Sequence, residues 1–407
     1  MLKKIKTSEL CIGMYVQEFC SSWIDTPFWK KSFLLDNPDD LIQIRKTKIQ
    51  EVWIDTSKGL DVGQQVPVQT EKASLPEPVA PVVAARVQTP ASMDEEIGRA
   101  SSIVNRSKQA VYSMFNEARM GKAVSIDQAQ EMVEEITDSV MRNPGALIGL
   151  ARLKTKDDYT YMHSVAVCAL MVALSRQLGL NDEQTREAGL AGLLHDIGKM
   201  MVPSDILNKP GKLTDEEFVS VREHPMAGYM MLKDAPGVSA VALDVCLHHH
   251  EKVDGSGYPE RLSGDQISLY AKMGAVCDVY DAITSNRPYK QGWCPAESLK
   301  KMAEWSRGHF DEKVFQAFVR SIGIYPVGTL VRMESGRLGV VVEQSVKSLL
   351  APKVRVFFSI KSLGYIKPEL LDLAGPGLQD KIAAREDAIK WGLKDIDRYW
   401  LGEAAPH

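Results

Sequence analysis

Six of the chain's eight histidines lie between His163 and His250, and each sits in or beside a stretch with helical apolar spacing. Imidazoles scattered as core residues would not concentrate this way. A fold that accepts them is a helical bundle, which either satisfies each ring separately or draws them around a common charge.

The local contexts favour convergence. Val167, Leu170, Met171, Leu174 and Leu178 form an inward stripe, and His163 stands one turn before Val167 on the same face. Alone, such a residue is more often a satisfied core histidine than a ligand. Asn181 and Gln184 form a capping box opening a helix that carries His195-Asp196 near its end. That pair offers one nitrogen ligand and one carboxylate able to bridge two cations, with Lys199 a turn further on; a structural hydrogen bond is the plainer alternative. Thr214 and Glu217 cap another helix, with Leu213 able to staple to Phe218. Pro225 should stop it at His224.

In His248-His249-His250, successive helical residues are about 100° apart, so the three cannot face one centre. Asp244 marks the polar side, Val245 and Cys246 the buried side. His249 and His250 are therefore the expected ligands, and His248 faces outward. Asp278 shares a face with Ala271, Gly274, Ala275 and Ala282, small residues that let its helix approach its partners, and Asp281 lies beside it one turn later.

The interior set is His163, His195, Asp196, His224, His249, His250 and Asp278. It exceeds what one ion of about four to six ligands needs, and two cations sharing Asp196 fit the count. Paired cations suit in-line displacement at phosphorus.

The rest of the chain bounds this reading. A net charge of -4 over 407 residues gives no reason to expect binding to long nucleic acid, though a local cationic cluster could hold a small anion. No apolar run reaches the roughly 18 to 20 residues that span a bilayer. Lys3, Lys4 and Lys6 are followed by Thr7, Ser8 and Glu9 rather than by an apolar signal region, so a cytoplasmic, membrane-free protein is expected. Cys11, Cys20, Cys168, Cys246, Cys277 and Cys294 form no CxxC pair and read as small core residues.

Five segments are expected. Residues 1–62 form a small α/β module with β-like runs at Met14–Phe19 and Glu51–Ile54, and 63–91 a linker containing Pro67, Pro76, Pro78, Pro81 and Pro90. Residues 92–124 form a connecting helix, opened by Ser92 and Glu95. Its stripe of Ile97, Ala100, Val104, Val111 and Phe115 serves either a homodimer or its own domain. Residues 125–325 form the helical catalytic domain, starting at Ser125 and Gln128 with a stripe of Ile126, Ala129, Val133, Ile136 and Val140. Residues 326–407 form a β extension, with a hairpin of Leu330–Met333 and Leu338–Val342 around Ser335-Gly336, then an amphipathic helix from about Gln379 to Trp400.

These residues resemble the HD-GYP family of cyclic di-GMP phosphodiesterases, a branch of the HD hydrolases. The HD is His195-Asp196, followed by Ile197-Gly198-Lys199; the GYP is Gly257-Tyr258-Pro259, reached from His249-His250 through Glu251 and Gly255. Asp278-Val279-Tyr280-Asp281-Ala282 and Arg287-Pro288-Tyr289-Lys290 also look like family signatures, and the match covers about residues 130 to 325. The N-terminal module resembles an uncharacterised domain that precedes some members.

The resemblance implies a mainly α fold, an HD-type helical bundle with a small N-terminal α/β module and a small C-terminal β-containing extension. It implies one metal held by His163, His195, Asp196 and Asp278, and another by Asp196, His224, His249 and His250. Lys199 would contact the scissile phosphate, and Gly257, Tyr258, Pro259, Asp281, Arg287 and Lys290 would meet the substrate. Arg287 and Lys290 suit phosphate, and Gly255 and Gly257 give a loop able to pass close to a ligand. Some members hold a third metal through a glutamate one turn before the first histidine. Tyr159 stands there in this chain, so two metals are expected. Fe or Mn suits the mixed ligand set, with Ni, Co and Zn left open.

The expected reaction is attack of a metal-bound hydroxide on cyclic di-GMP to give linear pGpG, with GMP as a later product. The alternatives are a cyclic di-GMP receptor or a docking module for signalling proteins, with little turnover, or an HD-type hydrolase of another nucleotide.

Overall fold

The computed structural model describes the chain except for residues 1, 20–32, 36–40, 42–43, 46–50, 63–88, 123, 155–157, 208, 210, 286–291, 378–379 and 403–407. Most of the expected linker, and both Arg287 and Lys290, lie outside the described residues. The chain divides into two units, Met1–Arg86 and Val87–His407.

The first unit is an antiparallel sheet of β1 (Leu2–Lys6), β2 (Tyr15–Phe19), β3 (Phe33–Leu34) and β4 (Glu51–Asp55), in the order β1-β4-β2-β3. Ile5, Val16, Val52 and Ile54 lie in its small core with Leu10, Met14, Leu35 and Ile44. The two β-like runs in the sequence are β2 and β4.

The second unit is a helical bundle. It begins with α1 (Met93–Arg119), capped by a Ser92–Glu95 box, and α2 (Ile126–Arg142). The apolar stripes of both helices are buried in the bundle, so the α1 stripe packs on its own domain rather than on a second copy. Next come α3 (Pro144–Arg152), α4 (Tyr159–Gln177) and α5 (Asp182–Leu194). α4 is buried on every side from Met162 to Ser175. It is the central helix of the bundle, not an amphipathic one, and His163 enters the interior near its start.

A short 3-10 turn, Ile197–Met201, leads to α6 (Ser204–Leu207), α7 (Asp215–Arg222), α8 (His224–Leu232) and α9 (Ala240–His248). Pro225 does not simply end a helix at His224. The α7 helix stops at Arg222, and α8 starts at His224 with Pro225 in its first turn, where a proline gives up only an amide that has no intrahelical partner. Then follow α10 (Leu269–Thr284), α11 (Pro295–His309) and α12 (Glu312–Ile322).

The C-terminal region is more than a hairpin and a helix. β5 (Leu330–Met333) and β6 (Arg337–Glu343) form the expected hairpin, but β7 (Lys353–Ser359), β8 (Gly364–Asp372) and β9 (Ile382–Arg385) extend it to a five-stranded antiparallel sheet. Among the described residues from 380 to 400, the helix expected from Gln379 to Trp400 is absent. Ile382–Arg385 pairs with the open edge of β5 instead, and Gly392 and Asp395 adopt positive φ, which breaks any helix there. Only α13 (Arg398–Leu401) is helical, and it buries Trp400 in the bundle core. No helix among the described residues is long and apolar enough to cross a membrane.

Candidate metal centre and its cavity

Four helix ends deliver the expected ligands to one place. His195 caps the C-terminus of α5, and Asp196 follows at the start of the 3-10 turn. His224 opens α8, and His249 caps α9. Approach of the 3-10 turn to α8 depends on Gly198: a Cβ there would overlap the His224 carbonyl oxygen and the Gly228 amide nitrogen. His163 and Asp278 come from α4 and α10. His163, His195, Asp196, His224, His249 and Asp278 are all buried.

Asp196 is the hub. Its Oδ2 lies 3.3 Å from Nε2 of both His163 and His195, while its Oδ1 lies 3.2 Å from His224 Nε2 and 3.7 Å from His249 Nε2. Asp278 Oδ1 stands 3.0 Å from His163 Nε2, and Asp278 Oδ2 stands 3.8 Å from His250 Nδ1. Two four-residue groups result, each with ligand atoms within 4.8 Å of one another: His163, His195, Asp196, Asp278, and Asp196, His224, His249, His250. His248 stays outside both, bonded to Asp244 (2.8 Å) and Glu260 (3.3 Å).

The ring orientations are those of ligands. Nδ1 of His195 donates to Gly192 O (2.8 Å), that of His224 to Val221 O (2.7 Å), and that of His249 to Val245 O (2.9 Å). His163 Nδ1 meets Asp281 Oδ2 at 2.6 Å. In the three rings bonded to carbonyls, spending Nδ1 in this way leaves Nε2 as the atom aimed inward, and His163 likewise turns its Nε2 to Asp196 and Asp278.

Charge balance points the same way. Burial opposes ionisation of Asp196 and Asp278. Nearby His195 and Lys199 nevertheless hold the Asp196 carboxyl well below its ordinary range, and the bond from His163 does the same for Asp278. Burial would depress His163, but its bonds to Asp196, Asp278 and Asp281 prevail and raise it to about 10. Burial, with neighbouring imidazoles, pushes His249 well down and His250 down to about 3. His195 Nε2 and Asp196 Oδ1 are buried with no hydrogen-bond partner among the described residues. Orphaned donor atoms at the hub are costly in a closed core and are what a coordinated cation would satisfy. The residues fit a pair of divalent metals.

The cluster forms the floor of a cavity of about 500 Å³, the size of a small-ligand site. Lys199 reaches in from the 3-10 turn and pairs with Asp196. Tyr258 stacks on His250 with ring centroids 4.7 Å apart, and the Arg222 guanidinium lies over the Tyr258 ring, 4.5 Å from its centroid. Arg119, Lys209 and Phe218 also line the cavity. None of these three stands out in the sequence as a site residue, Phe218 reading there only as a staple for Leu213.

Residues 134–314 match the family model of the HD domain, and residues 2–129 match that of a domain of unknown function, DUF3391. The chain is 56% identical over 407 residues to the cyclic di-GMP phosphodiesterase PA4108 of Pseudomonas aeruginosa, covering 99% of this chain and 97% of that one. The chain belongs to the HD-GYP family. Among other relatives, the cyclic di-GMP phosphodiesterase response regulator RpfG of Xanthomonas campestris is 34% identical over 208 residues, 50% of this chain and 54% of that one. The 3'3'-cGAMP-specific phosphodiesterase 1 of Vibrio cholerae is 39% identical over 167 residues, 41% of this chain and 38% of that one.

The structure revises three HD-GYP expectations. Asp281 does not line this cavity: it is buried behind His163, with its oxygens engaged by His163, Lys154 and Ser285. Gly257 packs against its own loop, since a Cβ there would meet the Glu251 and Lys252 backbone. Of the Gly257-Tyr258-Pro259 triplet, Tyr258 lines the cavity and its neighbours do not. Glu251 anchors this loop by accepting from the amides of Glu260 (2.7 Å) and Arg261 (3.0 Å). Tyr159, where a third-metal glutamate would stand, presents its ring to His163 with the planes 5° apart.

Proposed function

We propose that this protein is a metal-dependent phosphodiesterase that opens cyclic di-GMP to linear pGpG. The observation that carries the proposal is the Asp196 carboxylate, which turns one oxygen to each of two ligand sets at the floor of a cationic, aromatic-lined cavity. The near full-length likeness to a cyclic di-GMP phosphodiesterase supports the substrate.

When bound, two divalent cations supply Lewis-acid charge at phosphorus and acidify a water. The chain's own residues do the rest. Asp196 and Asp278, kept ionised, provide the negative charge that retains the metals, and the backbone carbonyls behind His195, His224 and His249 keep three Nε2 lone pairs inward. Lys199, one turn from Asp196 and paired with it, would meet a non-bridging phosphate oxygen as charge builds in the transition state. Tyr258, held by His250 and Arg222, shapes the cavity wall beside the ligand cluster. Water oxygen bonds to phosphorus, the P–O3′ ester bond breaks, and the 3′ oxygen departs with a proton, leaving a 5′ phosphate on pGpG. Arg287 and Lys290 belong to the proposed substrate contacts, and GMP is the product of a second cleavage. Fe or Mn is the proposed metal, and the unpaired Cys168, Cys246 and Cys277 fit a reducing, cytoplasmic setting.

The test is incubation of Mn- or Fe-loaded protein with cyclic di-GMP and 3'3'-cGAMP in parallel, with products separated by chromatography. Linear pGpG from cyclic di-GMP supports the reading. Tight binding without cleavage points to a receptor, and cleavage confined to 3'3'-cGAMP moves the chain to the other substrate.

A further inference from the structure

Lys154 is 127 residues from Asp281 in sequence, yet its side chain is wholly buried against it. Fully buried lysines are rare because the ammonium loses its hydration. This one is held in a closed polar ring. Its Nζ pairs with Asp281 Oδ2 and donates to Ser285 Oγ at 2.9 Å, and Ser285 Oγ in turn donates to Asp281 Oδ1 at 3.2 Å. The ammonium also lies 5.4 Å over the ring of Tyr159, the residue stacked on His163. The same Asp281 Oδ2 accepts from His163 Nδ1 at 2.6 Å, and His163 Nε2 faces Asp196 and Asp278.

We infer that Lys154 is a positioning residue for one half of the metal centre: it fixes the Asp281 carboxylate, which fixes the tautomer and direction of His163. A buried ion pair is a poor device for stability, since taking both charges out of water offsets their attraction. It is a good device for geometry. Without the ammonium, the Asp281 carboxylate loses the partner that holds Oδ2 in place and is free to turn, which takes the acceptor away from His163 Nδ1. The other three histidines on the hub lean on backbone carbonyls and need no such support. The dependence is therefore one-sided: the group of His163, His195, Asp196 and Asp278 relies on Lys154, while the group of Asp196, His224, His249 and His250 does not.

The inference rests on the metal assignment of the proposed function, and its test reads metal binding without any nucleotide, so that failure of either is seen separately. The full chain, stripped of metal, is titrated with Mn(II) and bound metal is followed at equilibrium, for the wild type, Lys154→Met, Asp281→Asn and the double variant. Outer supports of metal ligands are worth about 10- to 100-fold in affinity. Lys154→Met should weaken one of two equivalents by about that factor and spare the other, and adding it to Asp281→Asn should cost nothing more. Wild-type affinity for both equivalents in Lys154→Met, or full additivity in the double variant, overturns the inference. Ser285→Ala serves if Lys154→Met does not fold, because it loosens the ring without stranding a charge. A selective loss at one equivalent supports the inference, and unchanged binding at both contradicts it.

Discussion

The Nε2 atoms of His224 and His249 stand 3.3 Å apart, although the Nδ1 of each is spent on a backbone carbonyl. With the ring protons at Nδ1, two bare lone pairs face one another across a contact that carries no hydrogen. A shared cation turns that repulsion into two bonds, so the folded chain should bind metal far better than the unfolded chain does. At a metal concentration 100 times its dissociation constant, such linkage is worth about 2.7 kcal/mol per site. Chelation should lower the melting temperature, and Mn(II) should restore it. A melting temperature indifferent to chelator would contradict a metal-supported core.

Asp196 and His248 make a contrasting pair. Asp196→Ala removes the carboxylate that both ligand groups share, so metal content after anaerobic purification should collapse and turnover should vanish. His248→Ala touches only Asp244 and Glu260 and should leave metal content unchanged. Retention of metal by Asp196→Ala, or loss of an equivalent by His248→Ala, would show that the ligand sets are drawn wrongly.

Loading with metal should release a proton on one side only. In the metal-free chain His163 is raised from 6.5 to about 10, because its three carboxylate bonds outweigh burial, so at pH 7 it is protonated. A proton held more tightly than in the unfolded chain stabilises the metal-free fold below pH 6.5, and that contribution fades as pH climbs through about 10. Metal must displace this proton, so affinity on the His163 side should rise about tenfold per pH unit between 7 and 9. Burial keeps His249 and His250 unprotonated, and no such dependence is expected there. Calorimetry in buffers of different ionisation enthalpy checks this: one proton for one binding event and none for the other. Two proton-free events would refute the asymmetry.

Two residues on the cavity wall should affect substrate and not metal. Arg119 is fixed to the Met200 carbonyl through Nε at 3.4 Å and lines the cavity, as does the half-exposed Phe218. Loss of a charged phosphate contact costs about 1.5–3 kcal/mol, and loss of a base-stacking ring about 1–3 kcal/mol. Arg119→Ala should raise KM for cyclic di-GMP about tenfold or more and Phe218→Ala about fivefold or more, with metal content and hydrolysis of bis(4-nitrophenyl) phosphate unchanged. Unaltered kinetics on cyclic di-GMP would remove them from the substrate site.

Much of the centre is legible in the sequence because its ligands sit at helix ends, where capping residues and Pro225 mark the chain's direction. The hub needs only helical geometry and the His195-Asp196 adjacency. Asp281 is less legible. Periodicity puts it beside Asp278, but its partner Lys154 lies on another segment, and a long-range ion pair leaves no local trace. The C-terminal region misleads for a related reason: 379–400 carries helix-like apolar spacing, yet the open edge of β5 recruits Ile382–Arg385, and tertiary pairing overrides local preference. Arg119 and Phe218 become visible only once the bundle closes around the cavity.

The shared carboxylate is most directly tested by anomalous scattering from crystals of the Mn- or Fe-loaded protein. Two peaks should flank Asp196, one in contact with Oδ2 beside His163 and His195, the other with Oδ1 beside His224 and His249. A single peak, or two peaks out of reach of Asp196, would contradict the account.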